Sequence, residues 1–485
     1  MIKATSHIDY TKKWYVMAAV GMGIFLATID GSIVNVALPT LVQDFGADFA
    51  TVQWVVLAYL LTVTTLMLSV GRLADMIGKK PPYTWGFIIF TIGSVLCGLS
   101  WSIQVLIVFR ILQAIGAAMV MALGMAIVTE AFPPGERGKA IGISGSLVSV
   151  GIVVGPTLGG ILIEALSWHW IFIVNLPVGI IGTWMVIRFV PALRPAGGQS
   201  FDIWGGLVFF ATLLTFLLAL TVGQQIGFAA LPVLALFLVS VLLLLVFIYI
   251  EGTTRYPMLD LKIFQDRHFS VSMITAVITF ISIAGAIFLM PFYLENVLGY
   301  NPRQVGLLLA VVPVVLALVS PVSGGLSDRF GTRSISVIGL ALLTIGYAAM
   351  RTLTTQTTAL GFILRFLAVG IGMGVFQSPN NSAIMGSASP ERLGVTSGTL
   401  AIARTSGQIT GIALLGSVWV NQIKAMSMGI SQASITNAPA IIQVTALQDT
   451  FTVVTILISF ALGLGIWVWS SERRLKEHPP EYSPQ

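Results

Sequence analysis

Long apolar runs broken by short polar loops dominate this chain, and their spacing predicts fourteen helices: 14–38, 52–71, 83–101, 104–129, 140–164, 169–190, 203–223, 230–250, 269–294, 304–326, 334–352, 359–386, 396–420 and 448–470. About 20 apolar residues suffice to cross the hydrocarbon core of a bilayer as a helix. Strands of a membrane barrel would instead alternate over about ten residues. The expected class is therefore all-α and polytopic, with fourteen transmembrane helices. The first run, near Trp14, lacks a small-residue cleavage site and reads as a retained helix rather than a signal peptide.

Composition strengthens this picture. The 485 residues are 56% hydrophobic and only 9% charged, whereas soluble chains average about 25% charged. The single cysteine, Cys97, allows no internal disulfide. No Gly-x-x-x-x-Gly-Lys-Ser/Thr loop occurs, which argues against ATP as the driving force. The four histidines are too scattered for a metal or catalytic cluster, so neither a metal nor a cofactor is expected, and no residue pattern suggests an enzyme. Charge sets orientation. Nineteen of the 25 Lys and Arg fall on the side of the N-terminus, three on the other side, and three, Arg110, Arg365 and Arg404, inside helices. Both termini are thus expected in the cytoplasm. The net charge of +6 suits an anionic membrane surface, not nucleic acid.

One polar loop occurs twice: Gly71-Arg-Leu-Ala-Asp75-Met-Ile-Gly78-Lys79-Lys80 and Gly324-Gly-Leu-Ser-Asp328-Arg329-Phe-Gly-Thr-Arg333. A repeat implies two related halves. The 253-residue offset exceeds the roughly 180 that six helices need at about 30 residues each. The surplus fits one additional hairpin. The expected organisation is an N-terminal segment 1–13, a six-helix bundle 14–190, a linker 191–268 carrying helices 203–223 and 230–250, a second bundle 269–470 and a tail 471–485. The repeated loop resembles the signature between helices 2 and 3 of the major facilitator superfamily of secondary transporters. That resemblance implies two pseudo-symmetric six-helix bundles around a central cavity. It also implies a gating role for Gly71, Asp75, Gly78, Lys79, Asp328 and Arg329, although these charges also serve as topology signals.

Asp30 lies mid-helix in Ala27-Thr-Ile-Asp30-Gly-Ser-Ile-Val-Asn-Val-Ala-Leu-Pro39. A carboxylate near the bilayer centre costs at least about 2.5–3.5 kcal/mol and is seldom kept without a role. It either couples to a proton or cation, or neutralises a buried arginine. The stretch resembles the first-helix motif of the fourteen-helix drug:proton antiporter branch, in which the matching Asp is functional. Arg110 starts Arg-Ile-Leu-Gln113-Ala-Ile-Gly116, with Gln113 three residues on and so on the same face. A guanidinium cannot shed its charge and needs an acceptor. The segment resembles the Arg-x-x-Gln-Gly signature linked to proton transfer, with Ala114 in the glycine place. The resemblance makes helices 1 and 4 neighbours and Asp30 a partner for Arg110. Helix 5 carries Gly151-x-x-x-Gly155-Pro156-x-x-Gly159-Gly160, whose glycines permit close packing and whose proline bends the helix. It resembles the exporter signature of the superfamily and implies a gating element. His169, expected to be external and exposed, would titrate near neutrality at its ordinary pKa.

For the substrate cavity the candidates are Tyr59 and Gln113, the aromatic Phe288 and Tyr293, the amides Gln377, Asn380 and Asn381 around Pro379, and Arg404 with Gln408 four residues on. Broken helices with polar groups at mid-depth are typical of transporter binding sites. The expected activity is proton-coupled export of amphipathic or drug-like compounds, with protons, substrate and lipid as partners, in a bacterial inner or plasma membrane. A monomer suffices for this, and nothing in the chain identifies an envelope partner. A dedicated exporter or flippase of one lipid, siderophore or metabolite, and a non-transporting sensor or assembly partner, are the alternatives.

Overall fold

The computed structural model describes residues 10–133, 136–192, 203–254, 261–387, 393–427 and 432–477. These are helical almost throughout: α1 Lys13–Phe45, α2 Phe49–Ile77, α3 Lys80–Gly98, α4 Ile103–Ala131, α5 Arg137–Ala165, α6 Trp170–Ile173, α7 Asn175–Phe189, α8 Ile203–Ile226, α9 Leu231–Thr253, α10 Arg267–Phe292, α11 Pro302–Leu309, α12 Val311–Phe330, α13 Thr332–Met350, α14 Ala359–Gly386, α15 Leu393–Met426 and α16 Ala440–Glu477. Local chemistry sets the boundaries. Asp48, Ser102 and Thr358 accept a backbone N–H with their side chains at the starts of α2, α4 and α14, the usual N-cap device. Asn301 and Gln304 form a reciprocal capping box at α11.

Twelve candidate membrane spans, not fourteen, are found among the described residues. The two expected spans that fall short are 83–101 and 396–420. Both are helical, as α3 and α15, but neither is apolar enough over its length to count. α3 opens on Lys80-Pro-Pro-Tyr-Thr-Trp-Gly, and α15 threads Thr, Ser, Gly, Gln408 and Arg404 through its first five turns. Helical patterning and apolar content are separate properties, and the fourteen-span expectation merged them.

The chain divides into two compact units. Unit 1 comprises Met1–Met258, Ile287–Ala310 and Lys424–Ala438; unit 2 comprises Leu259–Ala286, Val311–Ile423 and Pro439–Gln485. In unit 1, α1 packs on α5 through Gly151 against Thr28, Gly155 against Ser32 and Gly159 against Ile33. α3 and α4 meet backbone to backbone at Gly93 and Gly116. α5 also meets α11: Gly160 lies against the carbonyl of Pro302, and Gly306 against that of Pro156. Aromatic Tyr83, Phe87 and Phe90 fill the space among α1, α3 and α4. The hairpin α8–α9 leans on α2, where buried Gln224 donates to Gln53 Oε1 at 3.2 Å. In unit 2, α13 meets α14 at Gly339 and Gly372, and Ser323 of α12 donates to Gly374 O at 2.7 Å. α10 meets α15 where Gly407 and Gly411 face the carbonyls of Val277 and Ile281.

Candidate functional site

The feature that stands out in unit 1 is a fully buried charge cluster. Asp30 on α1 is 0% exposed, Arg110 on α4 is 1% exposed and Gln113 is 0% exposed. The three side chains close a triangle. Arg110 Nη1 donates to Asp30 Oδ2 at 2.6 Å and to Gln113 Oε1 at 2.7 Å, and Gln113 Nε2 donates to Asp30 Oδ1 at 2.8 Å. Arg110 Nε donates to Val55 O on α2 at 3.2 Å. The Tyr59 ring lies beneath the guanidinium, 4.0 Å from its carbon, and Phe172 is 5.7 Å away. The Tyr59 hydroxyl lies in the field of Asp30 but makes no well-aligned hydrogen bond among the described residues. The Cys97 thiol on α3 donates to Gln113 Oε1 at 3.7 Å.

Each contact has a local cause. Helical spacing of three residues puts Gln113 on the face of Arg110. The glycine contacts of α3 on α4 bring Cys97 within reach, because Gly93 lies against the backbone of Gln113. An ion pair this deep is worthwhile only where further hydrogen bonds satisfy the remaining atoms. Here both carboxylate oxygens are used. Chemically, the cluster joins a carboxylate to a cation that cannot shed its charge. A proton on Asp30 would cancel the charge that faces Arg110, and would leave the cation to Gln113, Val55 O and the Tyr59 ring.

The other candidate positions are dispersed. Phe288 is buried edge-on against Phe49, with ring centroids 5.5 Å apart, and Tyr293 is buried in a wide π-type turn just after Pro291. In unit 2, Asn380 is buried and donates to Ser272 O at 3.1 Å, while Gln377 and Asn381 are half-buried. Arg404 and Gln408 are half-buried on one face of α15, and the Arg404 guanidinium sits 5.9 Å from the Phe280 ring. Among the gating candidates, Lys79 pairs with Glu130 of α4. Gly78 and Gly331 both take positive φ, 90° and 88°. Asp328 and Arg329 are exposed; the Asp75 side chain lies outside the described residues.

Sequence reasoning did not anticipate Cys97 or the Val55 carbonyl in the charge cluster, and it placed Tyr59 in the cavity without its role under Arg110. All three come from helices whose approach only the tertiary fold reveals. His169 is half-buried rather than exposed. It stacks on Trp168 at 3.7 Å, and burial pushes its imidazole below its ordinary pKa, against an opposing pull from Asp44.

Comparison with known proteins decides the family. A model described as Major Facilitator Superfamily matches residues 20–412. The chain belongs to that superfamily. It is 37% identical over 414 residues, 85% of this chain and 89% of the relative, to the riboflavin transporter RibZ of Clostridioides difficile. It is 33% identical to the multidrug resistance protein Stp of Mycobacterium tuberculosis, covering 83% of this chain and 75% of the relative. With the multidrug transporter protein MdtP of Bacillus subtilis it shares 30% identity over 86% of this chain and 77% of the relative. Its fold is similar to that of a bacterial homolog of the human lysosomal transporter Spinster in an inward-facing, unoccupied conformation, with TM-score 0.68 and 18% identity over 98% of this chain and 99% of the other. This major facilitator is a multi-pass membrane transporter and not an enzyme.

Proposed function

We propose that this transporter exports amphipathic compounds in exchange for protons, as in the drug:proton antiporter branch. The buried Asp30–Arg110–Gln113 triangle carries the proposal. Asp30 is the proton-binding group and Arg110 its counter-charge. Protonation of Asp30 dissolves the ion pair that ties α1 to α4 and shifts the balance between the two cavity orientations. In unit 2 the amides Gln377, Asn380 and Asn381, with Arg404 and Gln408, are the substrate-binding candidates, and in unit 1 the aromatics Phe288 and Tyr293 are. The Gly-Pro-x-x-Gly-Gly face of α5, in contact with α1 and α11, and the repeated loops around Asp75 and Asp328 act as gates. The excess of basic residues on the N-terminal side supports cytoplasmic termini, in the inner or plasma membrane of a bacterium. A potential that is negative inside then supplies about 2.3 kcal/mol per charge per 100 mV.

The relatives named for multidrug resistance support broad specificity; the one named for riboflavin supports a dedicated transporter. Competition among chemically unrelated compounds separates the two. The coupling proposal is tested by proton release. Detergent-purified protein in weak buffer with a pH-sensitive dye receives riboflavin and a panel of cationic and anionic dyes. Wild type is expected to release protons on binding, and Asp30→Asn to bind without release. Equal release from both proteins would overturn the assignment of Asp30.

A further inference from the structure

We infer that the transported compound carries an anionic group, and that Arg404 recognises it. The inference rests on the export reading and names the chemical class of its substrate. Arg404 lies eleven residues into the 34-residue α15, about 16 Å along the helix axis at 1.5 Å per residue. Its neighbour Phe280 sits at the centre of α10, a candidate membrane span. Through that neighbour the guanidinium is placed beside the middle of an apolar span, where a cation is costly, and its charge cannot be relieved by losing a proton.

What surrounds Arg404 does little to offset that cost. The Phe280 ring, at 5.9 Å, is at the outer limit for a cation–π contact. Among the described residues Arg404 makes no ion pair or hydrogen bond. The hydroxyls of α10 nearest in the chain to Phe280 are turned to their own helix: Thr279 donates to Thr275 O, and Ser282 to Ile278 O. Thr405 likewise donates to Ala401 O. Of the acids of unit 2, Asp266 and Asp328 lie toward helix ends, and Asp449 is half-buried nine residues into α16, a different helix from the one that carries Arg404. Asp30, at the middle of α1, is already bonded through both oxygens. Asp30 is thus spent within its own unit, whereas an anion finds at Arg404 a half-buried guanidinium with its N–H groups open.

A guanidinium matches a carboxylate, sulfonate or phosphate oxyanion with two parallel hydrogen bonds. Gln408, one turn along the same face, adds an amide donor. The ligand class is an amphipathic organic anion. This has an electrical consequence: one anion moving out and one proton moving in each carry charge in the same sense, so an inside-negative potential drives both.

Two dyes on one xanthene frame test this in proteoliposomes of the full-length protein under a proton gradient: fluorescein, an anion, and rhodamine 123, a cation. Wild type is expected to carry fluorescein at least tenfold faster than rhodamine 123, and faster still under a potassium diffusion potential that drives anion exit. Arg404→Gln is expected to lose tenfold or more on fluorescein and to lower the ratio of fluorescein to rhodamine 123 transport by at least as much, and Arg404→Lys, which keeps the charge, to recover most of that loss. Equal rates for Arg404→Gln and wild type on fluorescein, or a wild type that prefers rhodamine 123, would overturn the anion inference and leave export standing. A wild type that carries neither dye and releases no proton with either would overturn export and the inference together. Wild-type dye preference and Arg404→Lys keep the test decisive even where Arg404→Gln fails to fold.

Discussion

Arg110 and Arg404 are both arginines held within helices of a membrane protein, yet their surroundings are opposite. Arg110 is fully buried and bonded to Asp30, Gln113 and Val55 O, with Tyr59 beneath it. Arg404 is half-buried and has one distant ring. The first charge is neutralised inside its own unit, and the second is left for something that arrives. A purely structural arginine in an apolar helix would be matched by an acid, as Arg110 is. On the anion proposal, the contrast separates a group whose partner is built in from one whose partner is cargo.

The largest expected effect breaks the first environment. Arg110→Gln leaves Asp30 buried and charged without its cation, a change that typically costs about 3–5 kcal/mol. Thermal unfolding in detergent should show a fall of several degrees or loss of monodisperse protein. Arg404→Gln breaks no built-in ion pair and should not destabilise the protein as Arg110→Gln does. Adding Asp30→Asn to Arg110→Gln should recover much of the loss, because the pair is coupled. Equal destabilisation by the two arginine substitutions would erase the distinction between them.

Much of the first environment was legible in the chain, because a charge in an apolar helix is expensive wherever the helix packs. Asp30 and Arg110 announce themselves for that reason, and Gln113 follows from helical spacing. Cys97, Val55 and the placement of Tyr59 do not, since their approach depends on how α2 and α3 lie against α4, and glycine contacts such as Gly93 on Gln113 set that approach. In unit 2 the amides follow from residue type and their place around the Pro379 kink. Asn380 proves to be buried and bonded to Ser272 O, while its neighbours Gln377 and Asn381 stay half-buried; residue type cannot distinguish the three. The span count erred for a related reason. α3 and α15 hold their places as helices through small and polar residues that allow tight packing, and those same residues lower their apolar content.

A middle-sized effect compares the glycine seams beside the two arginines. In unit 1 a methyl group at Gly151 would meet the Thr28 side chain, at its hydroxyl and Cβ, with the Ile29 backbone only at the edge of ordinary contact. In unit 2 a methyl group at Gly411 would meet the carbonyl, Cα and carbonyl carbon of Ile281, which cannot move without shifting α10. Overpacking of a rigid contact costs about 1–3 kcal/mol. Gly411→Ala should therefore lower Tm by more than Gly151→Ala, and should also displace Arg404 enough to reduce substrate affinity. A Gly151→Ala variant that unfolds earlier than Gly411→Ala would show that the α1–α5 seam is the more rigid of the two.

The smallest effect lies in the repeated loops, which match in backbone but not in charge. Gly78 and Gly331 share φ near 90°, in a region that side chains avoid, so alanine at either should cost about 1–3 kcal/mol and the two should agree. One position further on they diverge. Lys79 pairs with Glu130 across to α4, with both side chains a quarter to a third exposed; Thr332, its counterpart, carries no charge to pair. An exposed ion pair is worth about 0.2–1 kcal/mol and weakens with salt. Lys79→Met should lose that amount at low salt and little at high salt, and Thr332→Met should be neutral at both. If Lys79→Met also shifts the balance of cavity orientations, measured by cysteine accessibility, while Thr332→Met does not, the first loop is a latch and the second only a turn. If neither moves that balance, the two copies are alike in function, and their shared glycine geometry is what the repeat preserves.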